Sequence, residues 1–456
     1  MRSSTALAGL LVMISGACST SAASPPTHDR PRAIVCDAAR GMTAEVSGFV
    51  RTTIATDEKG PGFVATGDVD GDGRLDLIVT SLGPVTIDGA NVTLSAGTVN
   101  AFLQGSTKGC WEKRSIVSPA EGLHFPNRPT LVDVDDDGDV DIVQPTGFFV
   151  CAFDKSVNRC GGMIWLENQG ADAFVRHDVV PPDGAVFYHA AIVVDFDGDG
   201  VRDLVTVGES PSGAKTRWFR GVSSKDRFEP TPREIGDGLG SFPIVFDVDH
   251  DGKLDVASAE YFVEGESFAW LERIEDPSAK NPAGIFTRHA IDRDSGRGFM
   301  LQLVPNLYGD GLTRAVATNH TNTSSVGVDE KAVGSSVFVF DVPGDPRAPW
   351  PKTVVSRDIV SRPSVGNAVQ GAPGVFGVGD IDGDGDLDLA LSGDGDAHTY
   401  WMEQTAKGAF AMHVIEEKLG QASGALVVDL DGDRRNELVF TGYEDGAVYV
   451  YARKEK

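Results

Sequence analysis

Six stretches of this chain set carboxylates at alternate positions of a nine-residue frame, Asp-x-Asp-x-Asp-Gly-x-x-Asp or a close variant. They run through Asp68, Asp70, Asp72 and Asp76; Asp133, Asp135, Asp137 and Asp141; Asp195, Asp197, Asp199 and Asp203; Asp247, Asp249, Asp251 and Asp255; Asp380, Asp382, Asp384 and Asp388; and Asp429, Asp431, Asp433 and Glu437. Alternating carboxylates in a tight loop turn their oxygens toward one centre. The glycine after the third permits the sharp turn, and the ninth carboxylate closes the cage. A flexible all-oxygen shell suits calcium, so about six structural Ca2+ sites are expected. Position seven varies freely (Arg74, Asp139, Val201, Lys253, Asp386, Arg435), as it can where only its backbone carbonyl is used. The frame stops at nine and is flanked by strand-like runs, which excludes a helix-loop-helix calcium sensor. Without cations each cluster repels itself. A worn seventh copy carries Asn306, Tyr308, Asp310, Gly311 and Arg314; two oxygen donors are gone and Arg314 brings its own positive charge, so no metal is expected there. The last intact loop has Arg434 where glycine is expected and is the next weakest.

The loops start at 68, 133, 195, 247, 306, 380 and 429, and these intervals suit one four-stranded propeller blade each, with variable loops. Short β-branched runs precede the loops (63–66, 192–194, 244–246, 426–428) and follow them (75–79, 204–207, 387–391, 438–440), giving strand, loop, strand. An aromatic strand comes next, as in Ile164-Trp165-Leu166-Glu167, Ala269-Trp270-Leu271-Glu272 and Tyr400-Trp401-Met402-Glu403. A fourth closes the unit, as in Phe174-Val175-Arg176-His177, Phe286-Thr287-Arg288-His289 and Phe410-Ala411-Met412-His413. The last unit stops at Val448-Tyr449-Val450-Tyr451, whereas Phe49-Val50-Arg51-Thr52-Thr53-Ile54 resembles a fourth strand and stands before the first loop. The expected fold is therefore all-β: a seven-bladed β-propeller of four-stranded antiparallel blades, one domain over 45–454, with the N-terminal strand closing the last blade. Closure removes exposed strand edges.

The chain has 456 residues and a formal net charge of −27, which argues against nucleic-acid binding. No apolar run long enough to span a membrane occurs beyond the start. Arg2, the apolar stretch 6–16 and the small residues that follow read as an export signal over 1–18. Ser15-Gly16-Ala17-Cys18 supports lipidation at Cys18, and Ser21-Ala22-Ala23 supports ordinary cleavage. The chain is thus expected as a lipoprotein of the outer membrane or cell surface, or as a secreted protein, with a tether and extension over 19–44. Four cysteines then remain in an oxidising compartment. Cys151 and Cys160 close a short loop, which leaves Cys36 with Cys110.

Repeats such as Gly374-Val375-Phe376-Gly377-Val378-Gly379-Asp380-Ile381-Asp382-Gly383-Asp384-Gly385 resemble those of FG-GAP and VCBS repeat proteins, and integrin α-subunit head propellers share the same calcium loop. The resemblance covers about 45–452. It implies the propeller and the metal but no single activity, since the family includes adhesion heads, lectin-like modules and propellers attached to sugar-processing enzymes. The Gly-Ala-Pro element of integrin repeats is out of place here, so integrin-like function does not carry over.

In a four-stranded meander the loop between strands one and two lies opposite the two-to-three loop and the connection to the next blade. The calcium loops therefore take one face and leave the other for recognition. Ligand candidates on that face are Arg128, Tyr188, His189, Glu260, Tyr261, His320 and His398, with Asn127, Asn319, Asp394, Asp396 and Tyr443 beside them and long insertions at 81–97 and 144–162. His177, His289 and His413 recur at one place of the fourth strand, which is a structural pattern, and Trp165, Trp218, Trp270 and Trp401 are blade-packing residues. No nucleophile elbow, zinc-protease motif or phosphate loop is present. Two readings follow. One is a noncatalytic module, monomeric, binding protein or glycan, and reaching a membrane only through its lipid anchor. The other is a sugar-acting enzyme, a polysaccharide lyase or dehydratase, with His189, His320 or His398 and Tyr188 or Tyr261 moving protons.

Overall fold

The computed structural model describes residues 33–454 apart from 89–90, 149–160, 171–172, 211–212, 225–226, 262–264, 321–334, 358, 360–372 and 394–395. Cys18, Cys151, Cys160 and Asp394, together with the lipidation and short-loop disulfide they were expected to carry, lie outside the described residues.

Each acidic loop joins the first two strands of an antiparallel sheet, and seven such sheets follow one another along the chain. Blade one contains Pro61–Gly67, Asp76–Ser81, Thr98–Gln104 and Trp111–Val117. Blade two contains Thr130–Val132, Asp141–Thr146, Gly162–Asn168 and Phe174–Val180. Blade three contains Phe187–Val194, Asp203–Ser210, Gly213–Phe219 and Arg233–Asp237. Ile244–Phe246, Asp255–Ala259, Phe268–Glu275 and Ile285–Asp292 form blade four, and Arg297–Val304, Arg314–His320, Ser336–Asp341 and Lys352–Arg357 form blade five. Phe376–Gly379, Asp388–Ser392, Thr399–Ala406 and Ala409–Glu416 form blade six.

Blade seven closes the ring. Ala422–Val428, Glu437–Gly442 and Ala447–Arg453 come from the C-terminal end, and Phe49–Ala55 pairs antiparallel with Ala447–Arg453 as the fourth strand. A fifth strand, Met42–Val46, pairs outside it. This strand is largely exposed and has no counterpart in the other blades. Cys36 is disulfide-bonded to Cys110 at the start of blade one's outer strand. The 81–97 insertion holds a small hairpin, Val85–Asp88 with Asn91–Leu94.

Second strands are buried on both faces, as in Asp76–Ser81 and Asp141–Thr146, because each is sandwiched between neighbouring blades. Their apolar residues join clusters that cross blade boundaries, one linking Ile78, Ala101 and Leu103 to Ile142, Ile164 and Leu166. Trp165, Trp218 and Trp270 are fully buried in the third strands, and each such side chain contributes about 1.5–3 kcal/mol. The repeated histidines close the blades. His177, His289 and His413 lie against Trp165, Trp270 and Trp401 with ring centroids 4.4, 4.9 and 4.6 Å apart. Their Nε2 atoms meet Glu167, Glu272 and Glu403 at 2.6, 2.6 and 2.7 Å.

Candidate functional site

The acidic loops are folded by their own carboxylates. The first aspartate accepts backbone N–H groups from later in its loop: Asp72 and Gly73 donate to Asp68 at 3.0 and 2.8 Å, and Gly383 and Gly385 donate to Asp380 at 2.7 and 3.0 Å. The fifth accepts from position seven at 2.8–2.9 Å, as in Arg74 to Asp72 and Lys253 to Asp251. The turn takes positive φ at positions four and six, which glycine supplies at Gly71 and Gly73. Arg434 sits at the sixth position with φ 71°, a strained place for a side chain.

The ninth carboxylate does more than close a cage. Asp76 is fully buried; its Oδ2 accepts the Val69 N–H at 3.1 Å and its Oδ1 accepts the Gln104 N–H at 2.8 Å. Asp141, Asp203, Asp255 and Asp388 repeat both bonds, to position two of the loop and to the far end of the third strand. Glu437 makes the first bond, from Leu430 at 2.9 Å. Burial pushes the carboxyls of Asp76, Asp255 and Glu437 up to about 7 and those of Asp141, Asp203 and Asp388 up to about 6.

The remaining oxygens gather. Asp68, Asp70 and Asp76 offer oxygens within 4.8 Å of one another, as do Asp133, Asp135 and Asp141, and Asp380, Asp382 and Asp388; in blades three and four the sets are Asp195, Asp197, Asp199 and Asp247, Asp249, Asp251. Burial, then the neighbouring carboxylate, raises the carboxyls of Asp70, Asp135 and Asp382. Asp135 Oδ1 and Asp429 Oδ1 are buried with no hydrogen-bond partner among the described residues. An all-carboxylate donor set with orphaned, mutually repelling oxygens fits a hard divalent cation.

Basic side chains reach into most loops. Arg74 pairs with Asp72, Arg227 with Asp135 at 3.4 Å, Arg220 with Asp197 at 3.0 Å and with Asp199. Arg347 pairs with Asp249 at 2.7 Å, Lys253 with Asp251 at 2.6 Å and Lys108 with Asp431 at 3.1 Å. In the worn copy Arg314 donates to both oxygens of Asp310 at 2.8 Å and to Asp341 at 2.7 Å, with its guanidinium 4.1 Å from the centre of the Tyr308 ring. Lys407 adds a contact to Asp310 at 3.0 Å. A side-chain cation thus occupies the place that the ninth carboxylate holds elsewhere.

The ligand candidates stand at strand ends away from the acidic loops, and most are held by partners of their own. His189 is buried with Nδ1 2.9 Å from Glu209 Oε2. Tyr188 is buried in the core between blades two and three, its hydroxyl accepting from Arg217 at 2.7 Å. Glu260 is fully buried, accepts the Leu239 N–H at 2.7 Å and pairs with Arg288; burial pushes its carboxyl up. His398 is held by Asp396, which also accepts the Tyr400 hydroxyl at 2.7 Å. His320 stacks on Phe299 with centroids 3.8 Å apart and meets Tyr261 edge-on at 5.5 Å; burial pushes its imidazole down to about 3. Arg128 donates its backbone N–H to the His189 carbonyl at 3.0 Å.

Three of these, His189, Tyr261 and His320, are joined by aromatic rings that composition did not single out. Phe242 lies 6.3 Å from His189, 5.4 Å from Phe299 and 5.8 Å from Phe63 of blade one. Phe148 adds a contact to His189 at 5.3 Å. Phe63 and Phe242, from blades one and four, meet across the ring, so aromatic side chains fill its axis. Both stand five residues before the first aspartate of their loop, a spacing visible in the sequence.

A family model described as an FG-GAP-like repeat matches residues 195–258 and 380–452. No curated protein matches the chain. Among solved structures, an Agrocybe aegerita lectin, in a study of specific recognition of non-reducing terminal N-acetylglucosamine, is similar at 16% identity, over 83% of this chain and 91% of its own, with a TM-score of 0.47. BBS1N in complex with ARL6DN is similar at 10% identity, over 91% of this chain and 97% of its own, with a TM-score of 0.51. A Penicillium chrysogenum α-L-arabinanase complexed with arabinobiose is similar at 10% identity, over 90% of this chain and 98% of its own, with a TM-score of 0.44. At such identities the likeness concerns the fold alone. The repeat match over those residues and the seven closed blades make the chain a seven-bladed β-propeller that carries FG-GAP-like repeats.

Proposed function

We propose that this protein is an exported, calcium-stabilised binding module that engages a protein or glycan at the cell surface with the face opposite its acidic loops. The observation that carries the noncatalytic reading is the separate commitment of the proton-transfer candidates: His189 to Glu209, Tyr188 to Arg217, His398 to Asp396, and His320 to an aromatic stack that keeps it neutral. General acid–base chemistry needs such groups to converge on one reacting atom. Calcium is supported by the orphaned buried oxygens of Asp135 and Asp429 and by the repeated carboxylate clusters. Bound there, it would be held by the first, third and fifth or ninth carboxylates and would stiffen the loops. The sugar-acting enzyme keeps one observation in its favour, the 5.5 Å contact of Tyr261 with His320 beside the axis.

Glycan-array binding measured alongside release of unsaturated sugar products tests the choice. Binding without turnover supports the module; product release transfers the face to a lyase. For the metal, a melting temperature that chelator leaves unmoved defeats the calcium reading.

A further inference from the structure

Four of the residues that give a backbone N–H to a ninth carboxylate, Gln104, Asn168, Arg273 and Gln404, also carry a side-chain donor, and all four send it into the preceding blade. Asn168 Nδ2 donates to the Val69 carbonyl at 2.9 Å, Gln404 Nε2 to the Leu307 carbonyl at 3.0 Å, Gln104 Nε2 to the Leu430 carbonyl at 3.4 Å, and the Arg273 guanidinium to the Phe196 carbonyl. Each acceptor is position two of the preceding blade's frame. In three of those frames the same residue gives its own N–H to its own ninth carboxylate: Val69 to Asp76, Phe196 to Asp203 and Leu430 to Glu437. Hydrogen bonds therefore run from one ninth carboxylate to the next. One run passes through Glu437, Leu430, Gln104, Asp76, Val69, Asn168 and Asp141 across blades seven, one and two; another passes through Asp203, Phe196, Arg273 and Asp255 across blades three and four.

Asn168, Arg273 and Gln404 are buried, so these bonds are shielded from water. Asn168 and Gln404 spend the second hydrogen of their amides on position eight of their own frames, donating to the carbonyls of Val140 and Leu387 at 3.1 Å each. Between blades six and seven a different bond serves, Asn436 Nδ2 to the Asp380 carbonyl at 2.8 Å. The junction of blades two and three is built otherwise. Its place in the pattern is Gly221, where a Cβ would stand 2.1 Å from the Arg202 carbonyl, so no side chain fits. There the two loops meet through ion pairs, Arg202 with Asp136 at 3.1 Å and Arg227 with Asp135 at 3.4 Å. A guanidinium on a ligand carboxylate competes with an ion and does not support one. Where the amides cross, the effect is the reverse. A frame that closes fixes its position-two carbonyl, hence the donor that reaches it and, through that residue's own N–H, the ninth carboxylate of the next blade. The next loop then has less ordering left to do, which is positive coupling between sites.

We propose that the acidic loops take up calcium as coupled neighbours, with Gln104, Asn168 and Arg273 as positioning residues that carry loop closure across the seven/one, one/two and three/four junctions, and with the two/three junction uncoupled. This rests on the calcium reading above and adds the relation between its sites. None of the three residues is an ion ligand; each acts through the backbone it holds.

The test is a pair of double-mutant cycles read by calorimetric calcium titration of the chelator-stripped protein and scored on the product of the binding constants. Asp70→Ala, Asp135→Ala and Asp197→Ala remove the third-position ligand from blades one, two and three. Across the one/two junction the double variant Asp70→Ala with Asp135→Ala should lose about fivefold less, or better, than the product of its two single losses, the lower end of ordinary coupling between sites. Across the two/three junction, Asp135→Ala with Asp197→Ala should lose the product itself. Asn168→Leu removes the crossing donor and should bring the first cycle down to the product, whereas Asn168→Gln should keep the coupling, since Gln104 and Gln404 hold the same place in blades one and six. A merely structural Asn168 would lower the melting temperature and leave the cycle unmoved, which would overturn the proposal. Equal cycles at the two junctions would overturn it as well, and that comparison decides even where Asn168→Leu does not fold. In both cases calcium still binds and the calcium reading stands; an intact protein that takes up no calcium would overturn the two together.

Discussion

Replacing Asp76 by alanine separates two jobs that the acidic loops combine. Its carboxylate is fully buried and accepts the N–H groups of Val69 and Gln104 at 3.1 and 2.8 Å, tying the loop to the far end of the third strand. Truncation strands both donors out of water. Hydrogen bonds to a charged group are each worth about 1.5–3 kcal/mol; the burial that lifts this carboxyl to about 7 cancels part of the sum. A net loss of about 3 kcal/mol remains. Asp70 is the control. It lies half-exposed, accepts one bond from Asp72 at 3.2 Å, and sits against the like charge of Asp68. With chelator present, Asp70→Ala should therefore change stability by less than about 1 kcal/mol. Urea unfolding followed by tryptophan fluorescence, with calcium and with chelator, reads both variants. Asp76→Ala should be destabilised in both conditions and Asp70→Ala only in calcium, while Asp76→Asn, keeping one acceptor, should fall between. If the two alanine variants lose equal stability in chelator, the ninth carboxylate has no separate structural role and the reasoning is refuted.

Arg314→Ala should lower the melting temperature by several degrees, and by the same amount with and without chelator, because its partners Asp310 and Asp341 are held by a guanidinium rather than an ion; a chelator-dependent effect would contradict this. Arg434→Gly should raise stability by about 1 kcal/mol, since it relieves a side chain at φ 71°; urea midpoints check it. His320 sets a pH dependence whose sign follows from its folded value near 3. An unfolded histidine titrates near 6.5 and takes up a proton that the folded one refuses, so stability falls as pH drops from about 6.5 toward 3. At pH 5 the loss is about 2 kcal/mol, and His320→Phe should remove that part of the acid limb while keeping the stack on Phe299. A denaturation midpoint with the same slope between pH 7 and 5 in both proteins would defeat the assignment.

The ring was legible because its evidence is periodic. The acidic frame, the tryptophan strand and the histidine strand recur, and the fourth-strand pattern of Phe49 to Ile54 placed the closing strand on blade seven, where the structure has it. Met42–Val46 escaped notice because it has no counterpart in the other blades, so the repeat does not mark it. The two acceptor bonds of the ninth carboxylate were hidden for a different reason: Gln104 lies 28 residues from Asp76, and spacing within a loop says nothing of a donor in another strand. Likewise Arg347 reaches Asp249 across 98 residues. Non-recurrence marked His189, His320 and His398 as candidates, yet it could not show that Glu209, the Phe299 ring and Asp396 already hold them. Departure from the repeat is therefore a better guide when the repeat also fixes what surrounds the position. Arg314 departs where every other blade has a carboxylate, and the acid it meets is Asp310 of its own frame, so the exception is settled internally.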